Sequence, residues 1–399
     1  MPLPKLMSFV LSLAASGAEQ GMAMLFEQFA ERACDQGAWP RADAVHASAL
    51  TKARAKLSWC VFDTLLKQTA ALAQTLFPAA DCYQWKGMSV YAIDGSKYQL
   101  PASVAIRAHF DPDSGLHPDN PGRGHYPMAL VSTAYDVFRQ LPVARAVVSI
   151  ADADERIQAQ ALLPHIPPGG VLVFDQGYPS YDMLLKCQQS YDGYFLFRCP
   201  AKNSFSAVEA FIRGGKSSAM LELTPTLRVR AIRLRSPDGN LSVLLTNLID
   251  PKTFSRQSIV KLYLRRWKIE DHYRAEKRDC KIECFHSRSV NGVKQELFAA
   301  AITMVMAQTL KAIAAPPRVT NKCIVFAQSK NAVAAFAQKL YVLTTACRHS
   351  AIALLERLAA SFARHRYYQP KTSKPGQPRV SKTPQNKWRN AKQKRMGKA

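Results

Sequence analysis

Hydrophobic and polar positions change their period twice along the chain. Over residues 1 to about 85 the apolar residues recur at helical spacing, first Phe9, Leu11 and Leu13, then Met24, Leu25, Phe26 and Phe29. That spacing predicts helices. Residues 48–57 read as a basic helix, and Ser58 stands where it would cap a further helix over 59–76. From about residue 86 short apolar runs replace the helical period. Strands are expected at 89–93, ending at Asp94-Gly95, and at 126–138 and 141–149. A helix over 152–163 follows, with acidic residues in its first turn where the helix dipole favours them. The run 171–174 is a four-residue apolar strand that stops at Asp175-Gln-Gly177. A helix at 180–189 and a strand at 194–199 complete the series. Three strands, a helix, a strand, a helix and a strand describe an α/β core. Residues 200–250 interrupt it with three strands, 221–223, 227–235 and 241–248, the last two joined by the turn Pro237-Asp-Gly-Asn240. The helical pattern resumes at Ser255, holds through residue 277, and returns over 293–314 and 332–364.

Charge narrows the class of partner. The chain of 399 residues carries 54 Lys and Arg against 29 Asp and Glu, a net charge of +25. An excess of that size calls for a polyanion, nucleic acid or an anionic membrane surface. The membrane reading is the weaker one. No uninterrupted apolar stretch of about 18 residues occurs, as a spanning helix needs. The nearest, 297–315, is broken by Gln308 and Lys311 and reads as a buried helix. The apolar start of the chain is short, and Glu19, Glu27 and Glu31 follow it at amphipathic spacing, unlike a secretion signal. Nine cysteines without a disulfide framework suit a reducing cytoplasm. Cys280, Cys284 and His286 lack the second ligand pair that structural zinc requires. The organisation expected is a helical, DNA-binding unit over 1–85, with one helix in a groove, a catalytic unit over 86–315, C-terminal helices over 316–364 and a basic tail over 365–399. The tail has Pro370, Pro375, Pro378 and Pro384 and no acidic residue, a composition that stays disordered and meets phosphates without regard to sequence.

The chemistry concentrates in Tyr263-Leu-Arg-Arg266-Trp-Lys-Ile-Glu270, continued to Lys277. Tyr263, Arg266, Glu270 and Lys277 stand at offsets 0, 3, 7 and 14, which a continuous helix places within an arc of about 60°. A solvated face is the ordinary reading of such a stripe. Here Arg precedes Glu, the less favourable order for a surface pair, and the face begins with an aromatic. Trp267, about 40° round, lies at its edge and reads as a packing residue. Asp94 and Asp175 each follow a short apolar strand, where a turn is the plain alternative. With Glu270 they form a three-carboxylate set suited to two divalent cations about 3.5–4 Å apart, the arrangement of phosphodiester chemistry. Other acids compete. Asp152, Asp154 and Glu155 are explained by a helix start, Asp111 and Asp113 lie in a Pro/Gly-rich loop, and Glu276 and Asp279 face elsewhere on the helix.

These motifs resemble a known family. Ala92-Ile-Asp94-Gly-Ser, Val173-Phe-Asp175-Gln-Gly177-Tyr178 and Tyr263…Arg266…Glu270…Lys277 look like the three acidic motifs of the insertion-sequence-4 family of bacterial DDE transposases, over roughly residues 45–310. The third is the most specific, its Tyr-x2-Arg-x3-Glu-x6-Lys spacing fully met. The resemblance implies a ribonuclease H-like core with a β-rich insertion between the second Asp and the Glu, where the strand pattern independently places one at about 200–250. It implies that Asp94, Asp175 and Glu270 bind Mg²⁺, with Mn²⁺ as substitute, and that Tyr263, Arg266 and Lys277 contact backbone phosphates at the transposon end. The activity implied is binding of terminal inverted repeats, cleavage, and joining of 3′-ends to target DNA. A homodimer in the synaptic complex and a cytoplasmic, nucleoid-associated location follow from it. Two rivals stand beside this reading. One is a nuclease of the same fold without strand transfer, and the other is a non-catalytic DNA-binding protein derived from a transposase.

Overall fold

The computed structural model describes residues 2–15, 20–40, 45–78, 80–115, 124–235, 239–278, 280–314, 324–326, 333, 335–344, 348–364 and 366–368. These residues build an eight-stranded sheet in the order β3-β2-β1-β4-β5-β8-β7-β6. The strands are β1 Val90–Gln99, β2 Met128–Asp136, β3 Leu141–Ser149, β4 Val171–Phe174, β5 Tyr194–Pro200, β6 Ser218–Thr224, β7 Leu227–Arg235 and β8 Leu241–Thr246. The first three pair antiparallel, β4 lies parallel to both β1 and β5, and the last three are antiparallel again. The first five strands thus follow the order 3-2-1-4-5 with β1 central, the ribonuclease H-like arrangement. Every residue of β4 is buried, as a short apolar run between two parallel neighbours should be. The β-rich segment expected at about 200–250 does not stand apart. Strand β8 pairs with β5, so β6–β8 lengthen the same sheet.

The two faces of the sheet carry separate apolar clusters. Val90, Ala92, Val171, Val173 and Leu196 belong to one, and Tyr91, Ile93, Leu172, Phe174 and Phe195 to the other. The first face lies under helix α11, Val290–Ala314, and the N-terminal helices α1 Leu3–Ser12, α2 Met22–Asp35, α3 Ala47–Lys56 and α4 Cys60–Leu76. Phe9, Phe26, Phe29, Phe62 and Leu66 share its core with Phe298 and Val305 of α11. Helix α11 is long and apolar enough to cross a membrane by length and composition alone, yet most of it is buried in this core. Within the basic helix α3 the charges divide. Arg54 is buried against Glu296 at 2.9 Å and Gln295 at 3.1 Å, whereas Lys52 and Lys56 are exposed. The opposite face is covered by α6 Glu155–Leu162, α7 Tyr181–Ser190 and α8 Ser206–Arg213. Helix α5, Val104–Phe110, follows β1.

Three expectations change. Strand β1 does not end before Asp94 but runs on to Gln99, because β2 continues to pair with it as far as Gln99↔Met128. The segment 255–277 is not one helix. Helix α9, Arg256–Tyr263, gives way to a 3₁₀ turn at Leu264–Trp267 before α10, Lys268–Arg278. A 3₁₀ residue turns the chain about 120° rather than 100°, so four of them rotate all that follows by about 80° relative to a straight helix. Within 332–364 the described residues are helical at 333 and 335–337, form a 3₁₀ turn at Leu340–Thr344 and then helix α12, Arg348–Arg364, rather than one continuous helix. The tail beyond residue 368 lies outside the described residues, as does Asp279.

Candidate active site

The register of two parallel strands brings the two aspartates together. Val90 pairs with Val171 and Ala92 with Val173, so two residues further along the same pleat Asp94 stands beside Asp175. Side chains alternate along a strand, so both carboxylates point to the face that carries Val90, Ala92, Val171 and Val173. Strand β4 stops at Phe174 while β1 runs on, which opens a notch at the end of β4. Helix α10 lies across that face and lowers Glu270 toward the notch.

The 3₁₀ turn sets Arg266 in the middle. Its guanidinium lies 3.5 Å from Asp94 Oδ2, 3.4 Å from Asp175 Oδ2 and 3.0 Å from Glu270 Oε1. The Arg266 side chain is 2% exposed, against 19% for Asp94, 34% for Asp175 and 33% for Glu270. One buried cation therefore holds three carboxylates whose outer oxygens reach solvent. Tyr263, also buried, donates its hydroxyl to Asp175 Oδ1 at 3.1 Å. Arg198 of β5 approaches the same oxygen at 3.9 Å. Tyr273 donates to the Asp94 carbonyl oxygen at 2.7 Å and so ties α10 to β1 at the site. Asp94 also accepts the Gly95 N–H at 3.0 Å.

The charge balance is negative. Burial pushes the Asp94 carboxyl up to about 6; Arg266 and the Gly95 N–H pull it down, and Glu155 and Asp175 push it up again. Burial likewise opposes the Arg266 charge, but Tyr263, Asp175, Asp94 and Glu270 more than offset it and hold the guanidinium above its ordinary range. Two buried nitrogens of Arg266, Nε and Nη1, have no hydrogen-bond partner, so the guanidinium is stretched among its carboxylates rather than saturated by any of them. The donors are all carboxylate oxygens, which suit hard divalent cations. Among the described residues no group of three or more His, Cys, Asp or Glu side chains converges closely enough to hold a metal as they stand. Arg266 is what stands between Asp94, Asp175 and Glu270. Oxygen donors in excess of one guanidinium fit a divalent cation, provided Arg266 yields its place.

Lys277 falls outside this group. Its ammonium donates to the Lys97 carbonyl oxygen, lies 3.9 Å from Glu283 and sits 4.5 Å over the Tyr98 ring. Glu270 and Lys277 both follow the 3₁₀ turn and stay on one side of α10, but seven residues of helix carry Lys277 about 10 Å further along it, past the notch. Trp267 is partly exposed and lies 5.6 Å from the Arg266 guanidinium. The competing acids are mostly structural. Asp111 is buried and accepts the Met128 N–H at 3.1 Å, Asp152 binds Ser149 at 2.8 Å, and Asp154 caps α6 by accepting the Arg156 and Ile157 N–H groups. Cys280 is buried and Cys284 exposed, and His286 faces Glu296 at 3.3 Å. Glu155 is different. Its carboxylate lies against Gly95, and burial pushes its pKa up, opposed by Lys97 and reinforced by Asp175 and Asp154. An acid in a first helical turn has so ordinary an explanation that sequence alone hides it. The signal available was Gly95, placed directly after Asp94.

Residues 85–306 match the family model described as the transposase DDE domain, a span that includes Asp94, Asp175 and Glu270. The putative transposase InsZ of Escherichia coli (strain K12) is 24% identical over 142 residues, 36% of this chain and 46% of that protein. The chain thus spans less than half the length of that curated relative. Among solved structures, a cryo-EM structure of a piggyBac transposase synaptic complex with hairpin DNA overlaps with a TM-score of 0.40 and 12% identity, over 73% of this chain and 59% of that one.

Proposed function

We propose that this chain, which belongs to the transposase DDE domain family, is a DNA transposase that binds the terminal repeats of a mobile element, cleaves phosphodiester bonds there and joins the 3′-ends to target DNA. The observation that supports this most is the placement of Asp94, Asp175 and Glu270 around a single guanidinium at the end of β4. The net charge of +25 supplies the attraction for DNA.

Chemistry in this family uses divalent metal, and Asp94, Asp175 and Glu270 are the residues that would hold it, with Mg²⁺ the proposed ion and Mn²⁺ its substitute. Bound there, such an ion supplies an activated water or 3′-hydroxyl and stabilises the leaving oxygen. The remaining work belongs to the chain's own groups. Tyr263 fixes the Asp175 carboxylate by its hydrogen bond, and Tyr273 fixes the backbone of Asp94. Arg266 keeps three carboxylates close together that would otherwise repel. Contact of Tyr263, Arg266 and Lys277 with DNA phosphates is part of the same proposal, and it requires Arg266 to exchange carboxylates for another oxyanion. A synaptic homodimer and a cytoplasmic, nucleoid-associated location complete the reading.

The test is a strand-transfer assay with the full chain, duplexes carrying the DNA that flanks its gene, a plasmid target and Mg²⁺ or Mn²⁺. Joined products are expected. Cut ends that never join would make the protein a nuclease, and binding without cutting in either metal would make it a DNA-binding derivative.

A further inference from the structure

The carboxylate set has a fourth candidate that the family motifs do not include. Glu155 is the first residue of α6, on the opposite face of β1 from α10. Its Oε1 lies 2.9 Å from the point where a Cβ on Gly95 would stand, and its Cδ lies 3.2 Å from that point. The carboxylate thus fills a space that exists only because β1 has no side chain beside Asp94. Gly95 has an ordinary extended conformation in β1, so the close approach, and not backbone freedom, is what requires glycine there.

The usual duties of an acid at a helix start are already filled. Asp154 is the cap of α6 and accepts both the Arg156 and the Ile157 N–H. Among the described residues, Glu155 accepts no hydrogen bond and forms no ion pair. Asp94, Asp175 and Glu270 are each held by Arg266, which reaches the notch from the α10 side. Glu155 comes from the other side of β1, beyond the reach of that guanidinium. Lys97 is the one cation that opposes its burial, short of an ion pair, so this half-buried carboxylate, pressed against the strand that bears Asp94, has oxygens left for a cation entering between them.

We propose that Glu155 is a fourth carboxylate of the metal site, entering it across Gly95 and sharing the ion held by Asp94 and Asp175. The proposal rests on the reading of Asp94, Asp175 and Glu270 as metal ligands, and its test separates the two. Binding of Mn²⁺ to the full chain without DNA would be followed by the electron paramagnetic resonance signal of free Mn²⁺, for wild type, Glu155→Gln, Gly95→Ala and Asp175→Asn. Thermal unfolding in chelator accompanies each variant. Glu155→Gln keeps the shape and removes the charge, so it should weaken Mn²⁺ binding by about tenfold or more, at least what loss of a supporting outer-shell group costs. Its unfolding temperature in chelator should stay at the wild-type value. Gly95→Ala displaces the same carboxylate and should act in the same direction. If Asp175→Asn weakens Mn²⁺ binding and Glu155→Gln does not, Glu155 is no ligand and the three-carboxylate reading stands. If neither variant weakens it, the reading of the triad as ligands fails and this inference with it. A loss of stability in Glu155→Gln at unchanged Mn²⁺ affinity would assign Glu155 to the α6 dipole and overturn the proposal.

Discussion

Helix α10 carries two glutamates six residues apart, and the surroundings of Glu270 and Glu276 could hardly differ more. Each faces an arginine from another element, and each has a tyrosine close by. At Glu276 both carboxylate oxygens have a partner, although Arg145 Nε and His272 Nδ1 have none. Arg145 of β3 lies 2.6 Å from it, and both side chains are 0% exposed. His272 stands 3.6 Å away, the Tyr98 hydroxyl donates to the second oxygen, and Arg145 spends its other end on the Leu297 carbonyl oxygen at 2.8 Å. Burial, the largest influence, pushes the Glu276 carboxyl up, but Arg145, His272 and Tyr98 together bring it below its ordinary range. At Glu270 one arginine serves three carboxylates, which keep a fifth to a third of their surface in solvent. The first group is a balanced structural knot that pins α10 to the sheet and to α11. The second holds negative charge in excess of its counter-charge. Unbalanced charge at a cleft, next to balanced charge in a core, is what distinguishes a site awaiting a ligand from a clasp.

The largest effect should come from breaking the closed knot. Arg145→Met leaves Glu276 buried without its counter-charge, and loss of one partner of a buried pair costs about 3–5 kcal/mol. Denaturant unfolding of the full chain would show it. A loss below about 1 kcal/mol would mean that the knot is not the anchor described here.

The open cluster should respond in the opposite sense. In chelator, the Asp94 carboxyl titrates near 6 in the folded chain, above its ordinary 3.8. Between those values the folded state holds a proton that the unfolded state has released, so stability falls as pH rises from about 4 to about 6 and is level above that. Asp94→Asn should remove this slope and stabilise the metal-free protein at pH 7, by roughly 3 kcal/mol at most. A variant with the wild-type slope would show that Asp94 is not under this strain.

How far the sequence reached follows the same division. Strands β3 and β4 are read to the residue, because an apolar run bounded by turn residues has one interpretation. Asp175 was read from its place at a strand end and Glu270 from the spacing of its motif, and the structure brings both to the Arg266 guanidinium with Asp94. The second half of β1 was not legible, since Ser96-Lys-Tyr-Gln99 has one apolar residue among polar ones and pairs on one side only. Nor was the 3₁₀ turn, which contains neither Gly nor Pro to mark it. Spacing around the helix placed Lys277 in the stripe, but its position two turns beyond Glu270 along α10 takes it to Lys97 instead. Arg54 shows the same limit. Its identity gives the charge of α3, but only packing shows that the charge is spent on Glu296 and not presented to DNA.

The smallest effect belongs to a third pair on the same helix. Arg274 and Asp271 lie 2.8 Å apart with 58% and 52% of their side chains exposed. Exposed pairs contribute about 0–1 kcal/mol, so Arg274→Ala should shift unfolding by less than that and leave DNA cleavage unchanged. A larger change in either would blur the distinction between the open cluster and the ordinary surface.

The central claim is that the unbalanced carboxylates, and not the basic surface, perform the chemistry. The measurement that tests it most directly sets Asp175→Asn beside wild type in two assays, gel mobility on end-bearing duplex DNA and cleavage of that DNA in Mg²⁺. The account predicts wild-type folding and binding, with cleavage lost. Cleavage by Asp175→Asn at the wild-type rate would contradict it.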